Sequence, residues 1–364
     1  MTISLKKYKI QIFLLLCVCI LMFFLTIVHP KAAIGGISQG LLLCGNVLIP
    51  SLFPFLFLTT FLSTSRLGYF LTKPFEWIIS VLFRIPKKAA FAALISFIGG
   101  YPSGAVAIRQ LLDNNTIEKS TARRMILFCS NAGPAFVVGV IGSVMLGSAA
   151  AGMHILIAMT VSSVIIGIVS GVLDEHGGRF YVSSLTTHRT VPRVRARMTQ
   201  SFVSSVADAC DIMLKICAFT LLFSCFISLL SLTMPKAVLD IASLFLEVSN
   251  GCVTAMTMKN PLYLLCFTAG FGGLCVHFQI FSILGDCGIN APFFILVKLM
   301  SGVLSTAIAA LLFHFFPVPV NVFMTQAKPL PVVPDNISAS VFLLLMAVFF
   351  MLSIGARRSP MQAN

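Results

Sequence analysis

Charge is scarce in this sequence. Only 10% of the 364 residues are charged, and the chain has 11 acidic residues and one tryptophan, whereas 58% of its residues are hydrophobic. Soluble domains carry about 25% charged residues, so the composition practically excludes a soluble enzyme, and it excludes intrinsic disorder, which requires low hydrophobicity. The apolar residues form long runs rather than the alternation of barrel strands. The composition therefore predicts an all-α polytopic membrane protein.

Motifs for metal, cofactor or covalent chemistry are also missing. The 11 cysteines include no CxxC pair and lie almost all within apolar runs, which is typical of small buried hydrophobic residues rather than disulfides or zinc ligands. The sequence has no Walker loop, no HExxH and no nucleophile elbow. We therefore expect no enzyme activity, no cofactor and no metal site.

The charge that is present is mostly basic, with 25 Lys and Arg and a net charge of +14. In membrane proteins such residues collect in cytoplasmic loops and contact anionic lipid. The sequence therefore predicts the lipid bilayer as a partner and no nucleic acid. The basic residues are concentrated at Lys6, Lys7 and Lys9, in the break 84–88, in the connection 109–124 and in the Arg-rich stretch 174–200.

About eleven apolar stretches are long enough to cross or enter a bilayer. They cover residues 10–28, 37–62, 67–83, 89–108, 125–146, 154–173, 210–232, 237–257, 261–284, 291–316 and 339–354. The first is longer than the apolar core of a signal peptide. We expect an uncleaved helix with a cytoplasmic N-terminus, and cleavage after Ala32 or Ala33 is the alternative.

The predicted orientation of the loops is inconsistent if every stretch crosses the membrane. The stretch 174–200 then falls on the cytoplasmic side, but the basic break 84–88 and the C-terminal arginines fall outside, against the positive-inside rule. One weak stretch is therefore expected to be re-entrant or interfacial, which gives about 10–11 transmembrane or re-entrant helices.

A shift of 170 residues aligns the two halves of the chain. Residues 94–101 then fall on 264–271, with Gly100 on Gly270. With one helix between the repeats, the second starts on the opposite side of the membrane from the first, which is the inverted topology of many secondary transporters. The predicted units are an N-terminal anchor helix (1–36), repeat 1 (37–150), a connecting helix (151–173), a basic cytoplasmic linker (174–200), repeat 2 (201–316) and a Pro-rich connection with a C-terminal helix (317–364).

Four polar stretches with glycine or proline interrupt the apolar runs, two in each half. Backbone freed from a helix is tolerated at membrane depth only where protein or water covers it, and paired breaks in corresponding halves indicate a binding site near the midplane. Close helix packing through glycine is the alternative. The predicted break residues are Gly100, Pro102, Gly104, Gly133 and Pro134, and Gly251, Gly270, Gly272 and Gly273 in the second half.

The candidate site residues are polar side chains in apolar stretches, because placing a polar group in lipid costs free energy. Glu247 is the strongest candidate, because a carboxylate in an apolar segment is expensive and usually functional. His277 is a candidate proton-linked group, although a lone histidine more often has a structural role. Lys298 is predicted to pair with Asp286 or Glu247, or to extend toward the interface. The predicted solute-binding residues are Tyr101, Ser103, Ser130, Asn131, Glu247, Ser249, Asn250, His277 and Gln279.

At these motifs the chain resembles the sporulation integral membrane proteins of the YlbJ type, which belong with the nucleoside-recognition Gate domains. The matching segments are 50–55, 100–104, 130–134, 247–251 and 270–279, in this order over about residues 40–310. The resemblance implies a Gate-like element in each repeat, a location in the bacterial inner membrane and a link to building the spore envelope. It implies no particular substrate.

Two functions remain open. The first is a permease or gated pore for a small polar solute, such as a nucleoside or a precursor of the spore cortex or envelope, which the repeat and the paired breaks favour. The second is a non-transporting membrane scaffold for envelope assembly, which fits the shortage of titratable groups in the bundle. Other sporulation membrane proteins are candidate partners for either function.

Overall fold

The computed structural model describes residues 16, 20–65, 70, 72–176 and 198–319, and every regular element in these ranges is helical. The N-terminal lysines, the first part of the predicted anchor helix, most of the Arg-rich linker and the predicted C-terminal helix 339–354 lie outside the described residues. Residues 20–28 of the anchor are helical.

Thirteen α-helices and two π-helical segments make up the described bundle. The α-helices are α1 (Pro30–Leu43), α2 (Ile49–Thr64), α3 (Glu76–Phe83), α4 (Ala90–Gly99), α5 (Tyr101–Asp113), α6 (Lys119–Phe128), α7 (Ala149–His176), α8 (Met198–Leu230), α9 (Lys236–Leu246), α10 (Val248–Thr257), α11 (Pro261–Phe271), α12 (Gly273–Leu284) and α13 (Ala291–Phe315). The π-helical segments are Cys44–Leu48 and Ala135–Met145.

Five stretches in the described ranges are long and apolar enough to cross a membrane. They are Pro30–Leu62, Ala149–Asp174, Gln200–Leu230, Pro261–Cys287 and Ala291–Phe315. Together with the hydrophobic composition, these stretches make the chain a multi-pass integral membrane protein.

The first long element is continuous through α1, the π-turn Cys44–Leu48 and α2. Pro50 and Pro54 lie in α2, and neither can donate the backbone hydrogen bond that a regular helix requires of it. A π-turn just before the prolines accommodates these missing hydrogen bonds, because it changes the hydrogen-bond register without ending the helix. The element packs along α8, where the hydroxyl of Ser228 donates to the carbonyl of Ala32 at 2.7 Å.

A first helical hairpin is formed by α4 and α5, which are joined at Gly100. Gly100 has φ +87°, a conformation that side chains other than glycine rarely adopt. The two helices fold back on each other, because a Cβ built on Gly104 would lie 2.8 Å from the Cβ of Ser96. With 10 and 13 residues, each arm is too short to span a bilayer by itself.

A second helical hairpin is formed by α9 and α10, which are joined at Glu247. Glu247 has extended backbone angles, φ −143° and ψ 125°. A Cβ on Gly251 would lie 2.9 Å from the carbonyl of Ser243, which places the two arms side by side. Its arms of 11 and 10 residues are also too short to cross.

Each hairpin is followed by a helix that is broken near its middle. After the first hairpin, α6 ends at Phe128 and helix resumes at Pro134. After the second, α11 and α12 meet at Gly272, which has φ +88°. The element α11–α12 runs the length of α13, since Tyr263 contacts Thr306 near one end and His277 contacts Phe294 toward the other.

Basic side chains gather several helix ends at one end of the bundle, here called the basic end. Arg124 donates to the carbonyls of Phe83 (2.7 Å) and Arg84 (2.6 Å) and lies 3.4 Å from the carboxylate of Asp174. Cations are favoured at these positions because the C-terminal end of a helix carries partial negative charge. The break at 84–88 therefore lies at the same end as the start of the Arg-rich linker.

The same end receives the last turn of α12. Arg109 donates to the carbonyl of Leu284 at 3.1 Å, and Lys119 donates to the carbonyl of Asp286 at 3.1 Å. The first hairpin therefore opens at the basic end. The second hairpin follows the C-terminal end of α8 and precedes the N-terminal end of α11. Both of these ends lie away from the basic end, so the second hairpin opens at the opposite end of the bundle.

The predicted interruptions of the stretches 89–108, 125–146, 237–257 and 261–284 are present, because each stretch is broken rather than one continuous helix. The predicted 170-residue register, in contrast, is displaced, because it pairs the hairpin tip Glu247 with Trp77 inside helix α3. The first half contains α3 as an additional helix before its hairpin, and this insertion shifts the spacing of the elements that follow.

Candidate functional site at the helix breaks

The tip of each hairpin contacts the break of the helix that follows it. A Cβ on Gly100 would lie 3.1 Å from the amide nitrogen of Gly133, in the break after α6. In the second half, a Cβ on Gly273 would lie 3.0 Å from the amide nitrogen of Val248 and 3.3 Å from the Cα of Glu247. The same pairing, tip against break, therefore occurs once in each half.

Tyr101 connects the two pairs. Its hydroxyl donates to the carbonyl of Ala269 in α11, and its ring lies against Gly272, where a Cβ would be 2.9 Å from Tyr Cε1. The side chain is buried. Through this residue the first hairpin touches the second broken helix, so the four breaks form one contiguous region inside the bundle.

Glu247 caps the second arm of its hairpin. Its two carboxylate oxygens accept hydrogen bonds from the amides of Ser249 (3.1 Å) and Asn250 (2.7 Å), as an N-cap residue does. The carboxylate is only 2% exposed. The side chain of Asn250 donates to the hydroxyl of Ser224 in α8 at 2.8 Å, which ties the tip to the long helix beside it.

Asn131 and Ser130 form a second polar group at the break after α6. Asn131 donates to the carbonyl of Phe128 at 2.7 Å and accepts from Ser163 of α7 at 2.6 Å. Lys298 of α13, which is 1% exposed, donates to the carbonyl of Ser130. The hydroxyl of Ser130 has no hydrogen-bond partner among the described residues.

The predicted pairing of Lys298 with Asp286 or Glu247 is wrong. The ion pairs in the described ranges join Arg109 to Asp113 and Arg124 to Asp174. Asp286 lies at the basic end, where its carbonyl binds Lys119, and both oxygens of Glu247 face the amides of its own hairpin. The long lysine side chain instead reaches the carbonyl left free where α6 ends.

Three further predicted site residues lie around these groups. Nε2 of His277 is 2.9 Å from the carbonyl of Phe271, while its Nδ1 has no partner among the described residues. Ser103 donates to the carbonyl of Gly99 within the first hairpin at 3.1 Å. Gln279 donates to Cys275 at 3.4 Å and lines a small cavity with Pro102. His277 is therefore at the breaks, whereas Gln279 lies nearer the side of the bundle that faces α8.

The polar residues form two groups rather than one. Asn131 binds α7 and Asn250 binds α8, so the two amides share no partner. Three of the predicted break glycines, Gly104, Gly251 and Gly270, lie inside helices. Each stands where a Cβ would collide with a neighbouring helix, so their role is close packing.

Sequence reasoning placed Lys298 outside the set of solute-binding residues and overlooked Ser163, Ser224 and Thr268. Thr268 is fully buried, and its hydroxyl has no partner among the described residues. The signal for Lys298 was a lysine in an apolar run, which is costly unless it is paired or functional. The serines gave no signal, because serine is common in membrane helices. In the described part of the chain, no three His, Cys, Asp or Glu side chains cluster as metal ligands would.

Among known proteins, the chain is similar to the sporulation integral membrane protein YlbJ of Bacillus subtilis (strain 168). The two are 24% identical over 323 residues, which cover 78% of this chain and 78% of YlbJ. The chain is a distant homologue of YlbJ. The resemblance to the sporulation integral membrane proteins of the YlbJ type that was found in the sequence motifs is thereby confirmed. No family model matches the chain, and no solved structure matches it.

Proposed function

We propose that the chain is a permease or gated pore for a small polar solute, with the solute site at the four helix breaks. The observation that carries this proposal is the contact between each hairpin tip and the following break, Gly100 with Gly133 and Glu247 with Gly273. Re-entrant segments and discontinuous helices that meet inside a bundle are characteristic of transporter binding sites.

The opposite openings of the two hairpins support an inverted repeat. Each repeat consists of a long helix, a re-entrant hairpin, a broken helix and a final helix. These are α1–α2, α4–α5, α6 with Ala135–Met145 and α7 in the first repeat, and α8, α9–α10, α11–α12 and α13 in the second. In such a plan, rocking of one repeat against the other opens the central site to each side in turn.

The basic end is assigned to the cytoplasm. Seven basic residues lie there: Arg84, Lys87, Lys88, Arg109, Lys119, Arg123 and Arg124. The second hairpin and its connections carry only two basic residues, Lys236 and Lys259. Basic residues near membrane helices remain on the cytoplasmic side. In this orientation the first hairpin enters from the cytoplasm and the second from outside, in the inner membrane of a spore-forming bacterium.

Unsatisfied polar groups at the breaks supply solute ligands. The hydroxyls of Ser130 and Thr268 and Nδ1 of His277 are buried without partners among the described residues. Leaving such groups unpaired costs free energy, which a solute with hydroxyl or amide groups recovers on binding. A nucleoside-like molecule or a polar envelope precursor has this chemistry, and the name of the relative, a sporulation integral membrane protein, supports a precursor used during sporulation.

A scaffold for spore-envelope assembly is the second candidate. It is favoured by the separation of the two polar groups and by the tight glycine contacts, such as Gly142 against Gly152, where a Cβ on either would lie within 2.8 Å of the other's Cα. A scaffold requires a rigid bundle and no path through it. We further propose that the chain is not an enzyme, and neither candidate requires a catalytic group.

Solute uptake separates the two candidates. Proteoliposomes that contain the full chain are expected to take up radiolabelled uridine or an N-acetylated amino sugar. Glu247→Gln and Asn131→Ala are expected to reduce the rate at least about tenfold, because the first replaces a buried acceptor oxygen by an NH2 donor and the second removes a buried hydrogen-bonding side chain. Lys215→Met is the matched control, since Lys215 is exposed on α8.

The same variants are then expressed in a sporulating strain that lacks the protein. Uptake by the wild type together with loss of sporulation in Glu247→Gln and Asn131→Ala supports the permease. No uptake of either probe, together with full complementation by both variants, would rule out the proposed site and favour the scaffold.

A further inference from the structure

Lys298 is a cation with an unusual environment for a membrane interior. It is 1% exposed, and no carboxylate pairs with it among the described residues. Its ammonium donates to the carbonyl of Ser130, just past the C-terminal end of α6 at Phe128. A C-terminal helix end carries partial negative charge and favours a cation.

This position is the one that a coupling ion occupies in other broken-helix proteins. Unwound carbonyls and the C-terminal ends of half-helices coordinate Na⁺ or bind H⁺ in such sites. Here the ammonium of Lys298 supplies the positive charge from a side chain. A lysine ammonium, unlike a metal ion or an arginine, loses its charge readily by releasing a proton when it is desolvated.

We propose that Lys298 is the proton-binding site that couples to opening of the break at residues 129–133. With a bound proton, the ammonium donates to the Ser130 carbonyl and holds the break against the tip of the first hairpin at Gly100. Release of that proton to water leaves a neutral amine, so the charge-assisted hydrogen bond is lost and the break is freed. This inference rests on the proposed permease function and assigns H⁺ as its coupling ion.

The neighbouring titratable groups do not neutralise Lys298. His277 of α12 and Cys129 at the end of α6 are near enough to interact with its charge. A protonated His277 would repel the ammonium, and Cys129 is fully buried. His154 and Tyr263 lie beside Phe313 and Thr306, which are more than two turns further along α13. Glu247 faces the amides of its own hairpin.

Hydrogen exchange in lipid nanodiscs tests the proposal without a solute. Exchange of the amides in the peptide 129–134, corrected for intrinsic rates, is followed from about pH 5 to about pH 9. In the wild type we expect opening of the break to rise by about tenfold per pH unit until the lysine is mostly neutral. The peptide around the second break, at Gly272, is expected to lack this dependence.

Variants identify the titrating group. Lys298→Arg keeps the charge at all pH values and is expected to remain protected without pH dependence. Lys298→Met is expected to be unprotected throughout, and Lys215→Met and His277→Gln should retain the wild-type profile. An unchanged pH profile in Lys298→Arg overturns the proposal even if Lys298→Met does not fold. Because no transport is measured, this result is independent of the uptake assay, which tests the permease itself.

Discussion

Replacing Glu247 by alanine is expected to destabilise the chain by about 2 kcal/mol. The change removes the acceptor for the amides of Ser249 and Asn250, which lie in the hairpin tip. A buried donor left without a partner costs about 1–3 kcal/mol. Loss of two acceptor bonds is partly offset, because the buried carboxylate no longer has to be desolvated.

The measurement is the thermal unfolding midpoint of the full chain in nanodiscs. Glu247→Gln retains one carbonyl oxygen and should lose about half as much stability as the alanine variant. Glu118→Ala is the matched control, because Glu118 is exposed and its carboxylate contacts only the hydroxyl of Ser120 among the hydrogen bonds of the described residues. A midpoint in Glu247→Ala equal to that of Glu118→Ala would show that the carboxylate does not hold the hairpin tip.

Replacing Gly104 by alanine is expected to be the most damaging small substitution in the first hairpin. The new Cβ would overlap the carbonyl oxygen of Cys129 and lie 2.8 Å from the Cβ of Ser96. Because the first obstacle is backbone, α5 must move away from the break after α6. Overpacking of this kind costs about 1–3 kcal/mol and sometimes more, and here it also separates Gly100 from Gly133.

Gly139→Ala provides the control for this substitution. Gly139 lies in the π-helical segment, and a Cβ there has no atom of the described residues within 4 Å. Alanine at that position should be neutral or stabilising by up to about 1 kcal/mol, since alanine favours helix more than glycine does. The yield of folded monomer by size-exclusion chromatography and the unfolding midpoint distinguish the two variants. Equal values for both would mean that α5 does not depend on this contact.

The membrane class and the positions of the breaks could be predicted from the sequence for local reasons. Long apolar runs identify helices, and glycine or proline next to polar residues identifies interruptions, as at Gly100 and Gly272. Whether a break kinks a crossing helix or turns it back cannot be deduced locally. The hairpin at Gly100 depends on the absence of a side chain at Gly104, which lets α5 pack against α4.

The partners of the site residues were less predictable than their identities. Glu247 stands out as a carboxylate in an apolar stretch, but its role as a cap depends on the extended backbone at that residue. Lys298 was assigned an acidic partner because opposite charges attract, yet its ammonium lies beside a carbonyl freed by the break in another helix. That carbonyl is distant in sequence, and no pattern within α13 points to it.

The central claim is that the two re-entrant hairpins enter the membrane from opposite sides and meet at the breaks. Single cysteines at Asn115, between α5 and α6, and at Lys259, between α10 and α11, report these sides. Both positions are exposed, and an impermeant thiol reagent applied to intact cells, read by peptide mass spectrometry, distinguishes them from native cysteines. We predict labelling of Lys259→Cys in intact cells and of Asn115→Cys only after permeabilisation. Labelling of both from the same side would contradict the inverted arrangement and the gated permease built on it.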